Sequence, residues 1–209
     1  MATTRADVIN AQAVGPPRES KGWFKNARRS RHARGVRAAC QTRPMARRER
    51  GKGTGATPAV LRLTEAGIPF AEHHYEHDEA ALSYGLEAAD ALGVEPSRVF
   101  KTLVVSVGSG LGVTVLPVDR QLDLKAAGAG FGVKKVTLAE QAAAERATGY
   151  VVGGISPFGQ RSSHPTLLDE SALEHETIFV SGGRRGFDIE VPPSALITLL
   201  QAHTAPITR

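Results

Sequence analysis

Cysteine is almost absent: the 209 residues hold one, Cys40. A lone thiol cannot form an internal disulfide, so a reducing and cytoplasmic setting is expected. Apolar runs are short. None approaches the ~18 residues of a membrane span, and no apolar stretch follows the N-terminus as a secretion signal would. The chain also lacks a Lys-Ser/Thr phosphate loop leading into a helix and a Gly-x-Ser-x-Gly elbow around Ser156. No recognised metal-ligand spacing is present. These gaps argue against disulfide-stapled, membrane-spanning, P-loop and serine-hydrolase classes.

Charge is present but unevenly placed. Residues 1–53 hold 14 of the 26 Lys and Arg and 3 of the 21 Asp and Glu, a net of +11; residues 54–209 carry −6. The formal charge of +5 therefore conceals an acidic body behind a basic leader. The leader has charge blocks, Arg28-Arg29-Ser30-Arg31 and Arg47-Arg48-Glu49-Arg50, and no sustained period, a pattern that stays unfolded. A disordered RNA-binding arm, an Arg-rich transit peptide and an unused upstream extension all fit it. We expect residues 1–53 to be a disordered or non-native N-terminal extension, with Met45 as a candidate start that would leave out residues 1–44, and residues 54–209 to be one domain.

The body mixes helix and strand signals. Thr57-Pro58 reads as a helix N-cap and first position, with Gly67 as the stop. Pro69 to Tyr75 reads as a strand, and Ser83 caps a helix ending at Gly93. Val99 to Val107 and Gly112 to Val118 flank a turn at Gly108-Ser109-Gly110. Asp119 to Phe131 is expected to be helical. Thr137 to Glu140 has capping-box spacing and is expected to open a helix to Ala147. Thr148 to Val152 reads as a strand that breaks into Gly153-Gly154 and leaves through Ile155-Ser156-Pro157. Further strands are expected at Pro165 to Leu168 and at Thr177 to Ser181 and Phe187 to Val191, with a last helix from Pro192. No regular βαβ beat appears. The pattern implies an α+β fold, a single domain with a mixed, curled, barrel-like β-sheet surrounded by helices.

Several residues invite chemistry. Gly153-Gly154 suits close backbone approach to a ligand. Lys101 sits inside the apolar run Val99 to Val105, where it snorkels, pairs or serves a site. Asp188 alternates with apolar residues in Phe187 to Val191, a pattern equally typical of the wet face of a hairpin. Gly182 to Gly186 brackets Arg184-Arg185, either a flexible tip or a phosphate-holding turn. His73, His74 and His77 lie among acids, but His73 and His74 point to opposite faces of a strand, so a polar edge strand is the better account.

Taken together, the segments Tyr75-Glu76-His77-Asp78, Val99 to Leu103, Gln121 to Lys125, Lys134-Lys135, Gly149 to Pro157 and Ser181 to Glu190 resemble, in order and spacing, the YbaK/EbsC proteins. These are Cys-tRNA(Pro)/Cys-tRNA(Cys) deacylases related to the inserted editing domain of prolyl-tRNA synthetase. The resemblance runs from about Thr57 to Ala202. It implies trans-editing hydrolysis of mischarged Cys-tRNA(Pro), with no metal and no cofactor. It implies Lys101 as the essential anchor of the aminoacyl-adenosine end, and Gly154, with its neighbours Gly153 and Ser156 in the bend, as lying against the ester carbonyl and offering backbone donors to a developing oxyanion. Tyr75 and Tyr84 match pocket positions, and Thr102, Ser181 and Asp188 match polar positions that orient the substrate or Lys101. The substrate's own thiol is the implied nucleophile. The implied partners are the tRNA(Pro) acceptor end and prolyl-tRNA synthetase. Asp119-Arg120, Gly128, Gly130 and Arg161-Ser162-Ser163-His164 depart from the family pattern, the last in a way expected to weaken tRNA backbone contacts. A silent aminoacyl-tRNA or nucleotide-binding module and an editor of Ala- or Ser-tRNA(Pro) are the alternatives.

The leader assignment is checked by the intact mass of the protein from its native source. A chain beginning at Met45 is expected, and a mass that includes earlier residues rejects it.

Overall fold

Residues 55–81 and 83–209 are described by the structure, a computed structural model. The expectations for residues 1–53, Met45 and Cys40 included, fall outside the described residues. Helix α1 (Pro58–Glu65) begins as its sequence predicts. The Thr57 hydroxyl accepts the Val60 N–H at 3.3 Å and donates to the Gly182 carbonyl at 2.6 Å. That second bond ties the helix start to a distant strand. Ala59, Val60 and Leu63 form its buried stripe. Helix α2 (Tyr84–Leu92) starts at Ser83 and stops at Gly93, whose φ of 66° suits glycine.

Among the described residues, eight strands form one mixed sheet. They are β1 (Ala71–His74), β2 (Val99–Val107), β3 (Gly110–Pro117), β4 (Val136–Leu138), β5 (Thr166–Asp169), β6 (Ile178–Arg184), β7 (Phe187–Val191) and β8 (His203–Ala205). The order is β1-β7-β6-β2-β3-β5-β8, with β4 also paired to β2. The β2–β6, β3–β5 and β5–β8 pairs are parallel and the others antiparallel. The expected mixed α+β domain is present, but the sheet stays open, with β1 and β8 at its two edges.

The two faces of the sheet bury different partners. Phe100, Val180, Ile178 and Ile189 pack with α1 and with α5 (Pro193–Leu200) in the largest apolar cluster. Alternate residues Val99 and Phe179 face α2 through Ala88 and Ala89. Strand alternation thus puts Val99, Lys101, Phe179 and, by register, Ser181 and Asp188 on the α2 side. None of the described helices is long and apolar enough to cross a membrane.

Three local expectations are corrected. The stretch from Asp119 is not helical until α3 (Leu124–Gly130), because Asp123 acts as the N-cap and accepts the N–H groups of Lys125 and Ala126. Thr137 caps nothing: it lies in β4 opposite Ser106, and α4 (Gln141–Thr148) starts only after Glu140. Thr148 to Val152 is not a strand. Thr148 ends α4, Gly149 terminates it at φ 79°, and the Tyr150 hydroxyl donates to the Phe158 carbonyl at 2.9 Å. Strand β8 carries no strand signal in the sequence.

Asp169, 1% exposed at the end of β5, fastens the C-terminal segment. It accepts the Ser171 N–H at 3.2 Å, the Ser171 hydroxyl at 2.5 Å and the Ile207 N–H at 3.1 Å. Removing it leaves buried donors unpaired. Asp169→Ala is expected to cost about 2–4 kcal/mol in urea unfolding, and an unchanged midpoint would show that these bonds do not hold the segment.

Candidate functional site

Strand β2 shares one of its edges between two partners. β6 pairs with Val99 and Phe100, and β4 pairs with Val105 to Val107. Between them, among the described residues, the edge is open apart from one bond, the Ala139 N–H to the Val104 carbonyl at 3.0 Å. The alternation of an antiparallel ladder then directs the N–H and C=O of Thr102 into the gap. A cleft of about 440 Å³ occupies it, in the range of small-ligand pockets. Its wall includes every residue from Val99 to Val104. A pocket on one face of a strand would touch alternate residues, so this cleft runs along the edge.

The same cleft collects Tyr75, Tyr84, Lys101, Thr102, Gly153, Ser181 and Asp188. Two residues predicted from the sequence do not line it. Ser156 is wholly buried, where its hydroxyl accepts the Phe158 N–H at 3.3 Å. Gly154 is buried behind the bend, and its N–H is committed to the Val151 carbonyl at 3.0 Å. The expectation that Gly154 donates to a ligand is therefore corrected. Its need for glycine is one of packing: a Cβ there would lie 2.8 Å from the Arg184 Cα. The N–H groups of Gly153 and Ile155, by contrast, have no acceptor among the described residues.

Lys101 does not pair with Asp188. Its ammonium donates to the carbonyls of Val118 at 3.2 Å and Arg120 at 2.5 Å, at the end of β3. Burial lowers its pKa, partly offset by the Asp119 charge. Asp188 is 6% exposed and, among the described residues, no group donates a hydrogen bond to its carboxyl. Burial alone pushes it up to about 6. Tyr75 is held well above the usual phenol range, first by burial and then by the charges of Asp188 and Glu87. The Thr102 hydroxyl is buried without a partner. The cleft is thus lined by polar groups that the fold itself does not satisfy.

Sequence reasoning misses the supports. Arg185, at the β6–β7 tip, donates to the Val152 carbonyl through Nε at 3.2 Å and Nη2 at 2.9 Å, and lies 4.8 Å from the Tyr84 ring centre. The glycines and arginines of this tip suggest a phosphate-holding turn; in the fold Arg185 holds protein backbone instead. Glu87 accepts from His77 at 3.0 Å and from the Asp78 N–H at 2.6 Å, which joins the β1 exit to α2. Of the three clustered histidines, His73 meets Glu190 at 3.1 Å while its neighbour His74 stacks on Phe187, on the opposite face. No local pattern signals these long-range pairs.

The burial of Asp188 makes a pH prediction. Its folded pKa exceeds the ordinary 3.8, so the native state binds the proton more tightly than the unfolded chain. Its contribution to stability is complete below pH 4, is lost as pH rises towards 6, and stays lost above. The gap corresponds to about 3 kcal/mol. Asp188→Asn should therefore be more stable than the parent at pH 8, with the advantage fading at pH 4. Equal urea midpoints at pH 8 would refute burial as the cause of the shift.

The comparisons with known proteins bear on this geometry. The family profile of the aminoacyl-tRNA editing domain matches residues 79–199. A protein of Enterococcus faecalis, named as a proposed Cys-tRNA(Pro)/Cys-tRNA(Cys) deacylase, EbsC, is 38% identical over 154 residues, covering 73% of this chain and 93% of that protein. Among solved structures, a hypothetical protein, APE2540, is 25% identical with a TM-score of 0.66, covering 73% of this chain and 100% of its own. A proposed trans-editing enzyme for prolyl-tRNA synthetase is 24% identical with a TM-score of 0.65, covering 76% and 99%. The likeness to these two structures speaks to the fold. A family profile spanning more than half of the sequence, and a relative this similar along nearly its whole length, establish that the chain belongs to the aminoacyl-tRNA editing domain family, on its YbaK/EbsC branch.

Proposed function

We propose that the protein is an aminoacyl-tRNA deacylase that acts in trans, with Cys-tRNA(Pro) as its substrate. The observation that carries this reading is the composition of the cleft. It gathers Lys101, Asp188, Thr102, Ser181 and two tyrosines around an open strand edge, while its described lining includes no cysteine and no histidine. Such a site binds and orients; the nucleophile comes from elsewhere. The name of the relative from Enterococcus faecalis points to the same substrate. Cysteine and proline are close in volume, and about one methylene of difference gives only ~1–3 kcal/mol of discrimination, so a second hydrolytic site has a clear purpose.

In this reading the ammonium of Lys101, held by two carbonyls, anchors the terminal nucleotide. Tyr75 and Tyr84 flank the base and the aminoacyl group. The unpaired Asp188 carboxylate accepts the substrate's α-ammonium, which satisfies a buried charge that the fold leaves alone. The sulfur of the cysteinyl group attacks its own ester carbonyl carbon. The bond to the ribose oxygen breaks, that oxygen takes the proton released by the thiol, and the products are a thiolactone and free tRNA. Holding the thiol against the carbonyl is positional catalysis, which supplies several kcal/mol. The net charge of −6 on residues 54–209 disfavours tight RNA binding by this body alone, since phosphate contacts dominate that affinity. Prolyl-tRNA synthetase, working in the cytoplasm where tRNA is charged, is therefore the proposed partner that delivers the substrate.

Incubation with Cys-, Ala- and Pro-tRNA(Pro), following release of each amino acid, tests the reading. Cys-tRNA(Pro) should be cleared selectively, and faster with prolyl-tRNA synthetase present. Lys101→Ala should lower the rate by roughly 100-fold or more, with its melting temperature little changed. Loss of Cys-tRNA(Pro) no faster than background would sink the proposal; preference for Ala-tRNA(Pro) would reassign its substrate.

A further inference from the structure

The bend at residues 151–154 is a β-turn closed by the Gly154 N–H to the Val151 carbonyl. Gly153, at its third position, has φ +89°, and Val152 before it is not at positive φ. That combination defines a type II turn. Types I and II differ by a flip of the central peptide, here the Val152 carbonyl with the Gly153 N–H. In the flipped state the carbonyl and the N–H exchange sides, so the direction of one peptide decides what this turn presents to the cleft.

The structure holds that peptide from outside the turn. Arg185 grips the Val152 carbonyl through two guanidinium nitrogens, at 3.2 and 2.9 Å. Glu145, from α4, accepts the Val152 N–H at 3.1 Å, so the residue before the flip point is fixed at both ends. Gln141 donates to the same Glu145 oxygen at 3.1 Å. These hydrogen bonds, that of the Val152 N–H first, hold the Glu145 carboxyl below the usual carboxylate range, which keeps it an acceptor. The Tyr84 ring stacks under the guanidinium at 4.8 Å. A Cβ on Gly153 would sit 2.9 Å from both Arg185 Nε and the tyrosine ring, so any side chain there would displace these two groups as well as strain the backbone at φ +89°.

Accounting for the turn's polar groups leaves a free donor. The Val151 carbonyl takes Gly154 N–H, the Val152 N–H goes to Glu145, and the Val152 carbonyl goes to Arg185. In a trans peptide the N–H points opposite to the C=O. The Gly153 N–H therefore points away from Arg185, belongs to a residue that lines the cleft, and has no acceptor among the described residues.

We propose that Arg185 is a positioning residue which, with Glu145, locks the Val152–Gly153 peptide in the orientation that turns the Gly153 N–H to the cleft, where the family resemblance already implies that backbone donors of this bend meet the ester oxygen. The donor assignment rests on the deacylase reading above. The lock itself does not, since it is a property of the free protein.

The test uses the full chain as wild type, Arg185→Ala, Arg185→Lys and Glu145→Gln. In the deacylation assay Arg185→Ala should lose roughly 10- to 100-fold in kcat with KM within about twofold, because an oxyanion donor acts in the transition state and not in binding. Arg185→Lys keeps one donor to the Val152 carbonyl and should recover part of that loss. Glu145→Gln keeps only a neutral acceptor for the Val152 N–H and should lose kcat in the same direction as Arg185→Ala but by less. A structural role alone would lower the melting temperature and leave kcat of the folded enzyme intact. In parallel, ¹⁵N-glycine spectra of the free protein should show the Gly153 amide shifted or broadened in Arg185→Ala. Gly154, whose bond to Val151 survives the flip, should stay protected from exchange. An unmoved Gly153 signal, or an unchanged kcat in Arg185→Ala, overturns the proposal. If wild type cleaves no aminoacyl-tRNA, the deacylase reading and the donor role fail together, and the spectra alone decide the lock.

Discussion

The geometry of this protein depends on how one nine-residue strand shares its edge. Strand β2 lies at the centre of the sheet, fully paired to β3 on one side. On the other side β6 leaves after Val180 and β4 arrives only at Leu138. Backbone groups inside a protein demand partners, so an unpaired central stretch is tolerated only where solvent or a ligand meets it. The β6 departure continues into an irregularity between Ser181 and Arg184, with Gly183 at φ 102°. The carbonyl of Gly182 is tied there to Thr57 at the start of α1. The gap is thus built into the hydrogen-bonding of the sheet and is not an accident of loose packing.

Everything polar in the cleft follows from that opening. Lys101 and Asp188 share the α2 side of the sheet but are satisfied differently: the lysine by two carbonyls at the end of β3, the aspartate by nothing among the described residues. One is a charge already fixed in place; the other is a charge held in reserve, with burial raising its pKa to about 6. Across the cleft, a turn from the α4–β5 connection and an arginine from the β6–β7 tip meet at the Val152 peptide. Segments from both halves of the domain converge on a space none of them defines alone.

The departures from local expectation have physical causes. Thr137-Leu138-Ala139-Glu140 has the composition of a capping box, yet pairing with β2 takes Thr137 into a strand, since tertiary hydrogen bonds override a local cap. The run Tyr150-Val151-Val152 is β-prone, but its polar groups are claimed by side chains and turns. Glu145 takes the Val152 N–H, and Tyr150 is buried with Val104, Ala144 and Ile155 while its hydroxyl donates to the Phe158 carbonyl, so side-chain and turn contacts hold this run in place of a strand ladder. The motif around Gly154 suggests a donor role for that residue. Its neighbour Gly153 is the one left with a free N–H, a distinction that rests on which amide closes the turn.

By itself the sequence determined the order and type of most elements, their caps at Thr57, Ser83 and Gly93 and the acidic body. The elements and caps are legible because helix caps, period-two alternation and turn glycines are local consequences of backbone sterics; Lys101, Thr102, Ser181 and Asp188 stood out through the family resemblance, and the fold brings all four to one cleft. Only the tertiary structure decided that β2 is left open between β6 and β4, that Lys101 turns to carbonyls instead of to Asp188, that Ser156 is sealed in the core, and that Arg185 grips Val152. Each of those facts joins residues far apart in the chain. Such contacts depend on the competition among all possible partners in three dimensions, which no local spacing records.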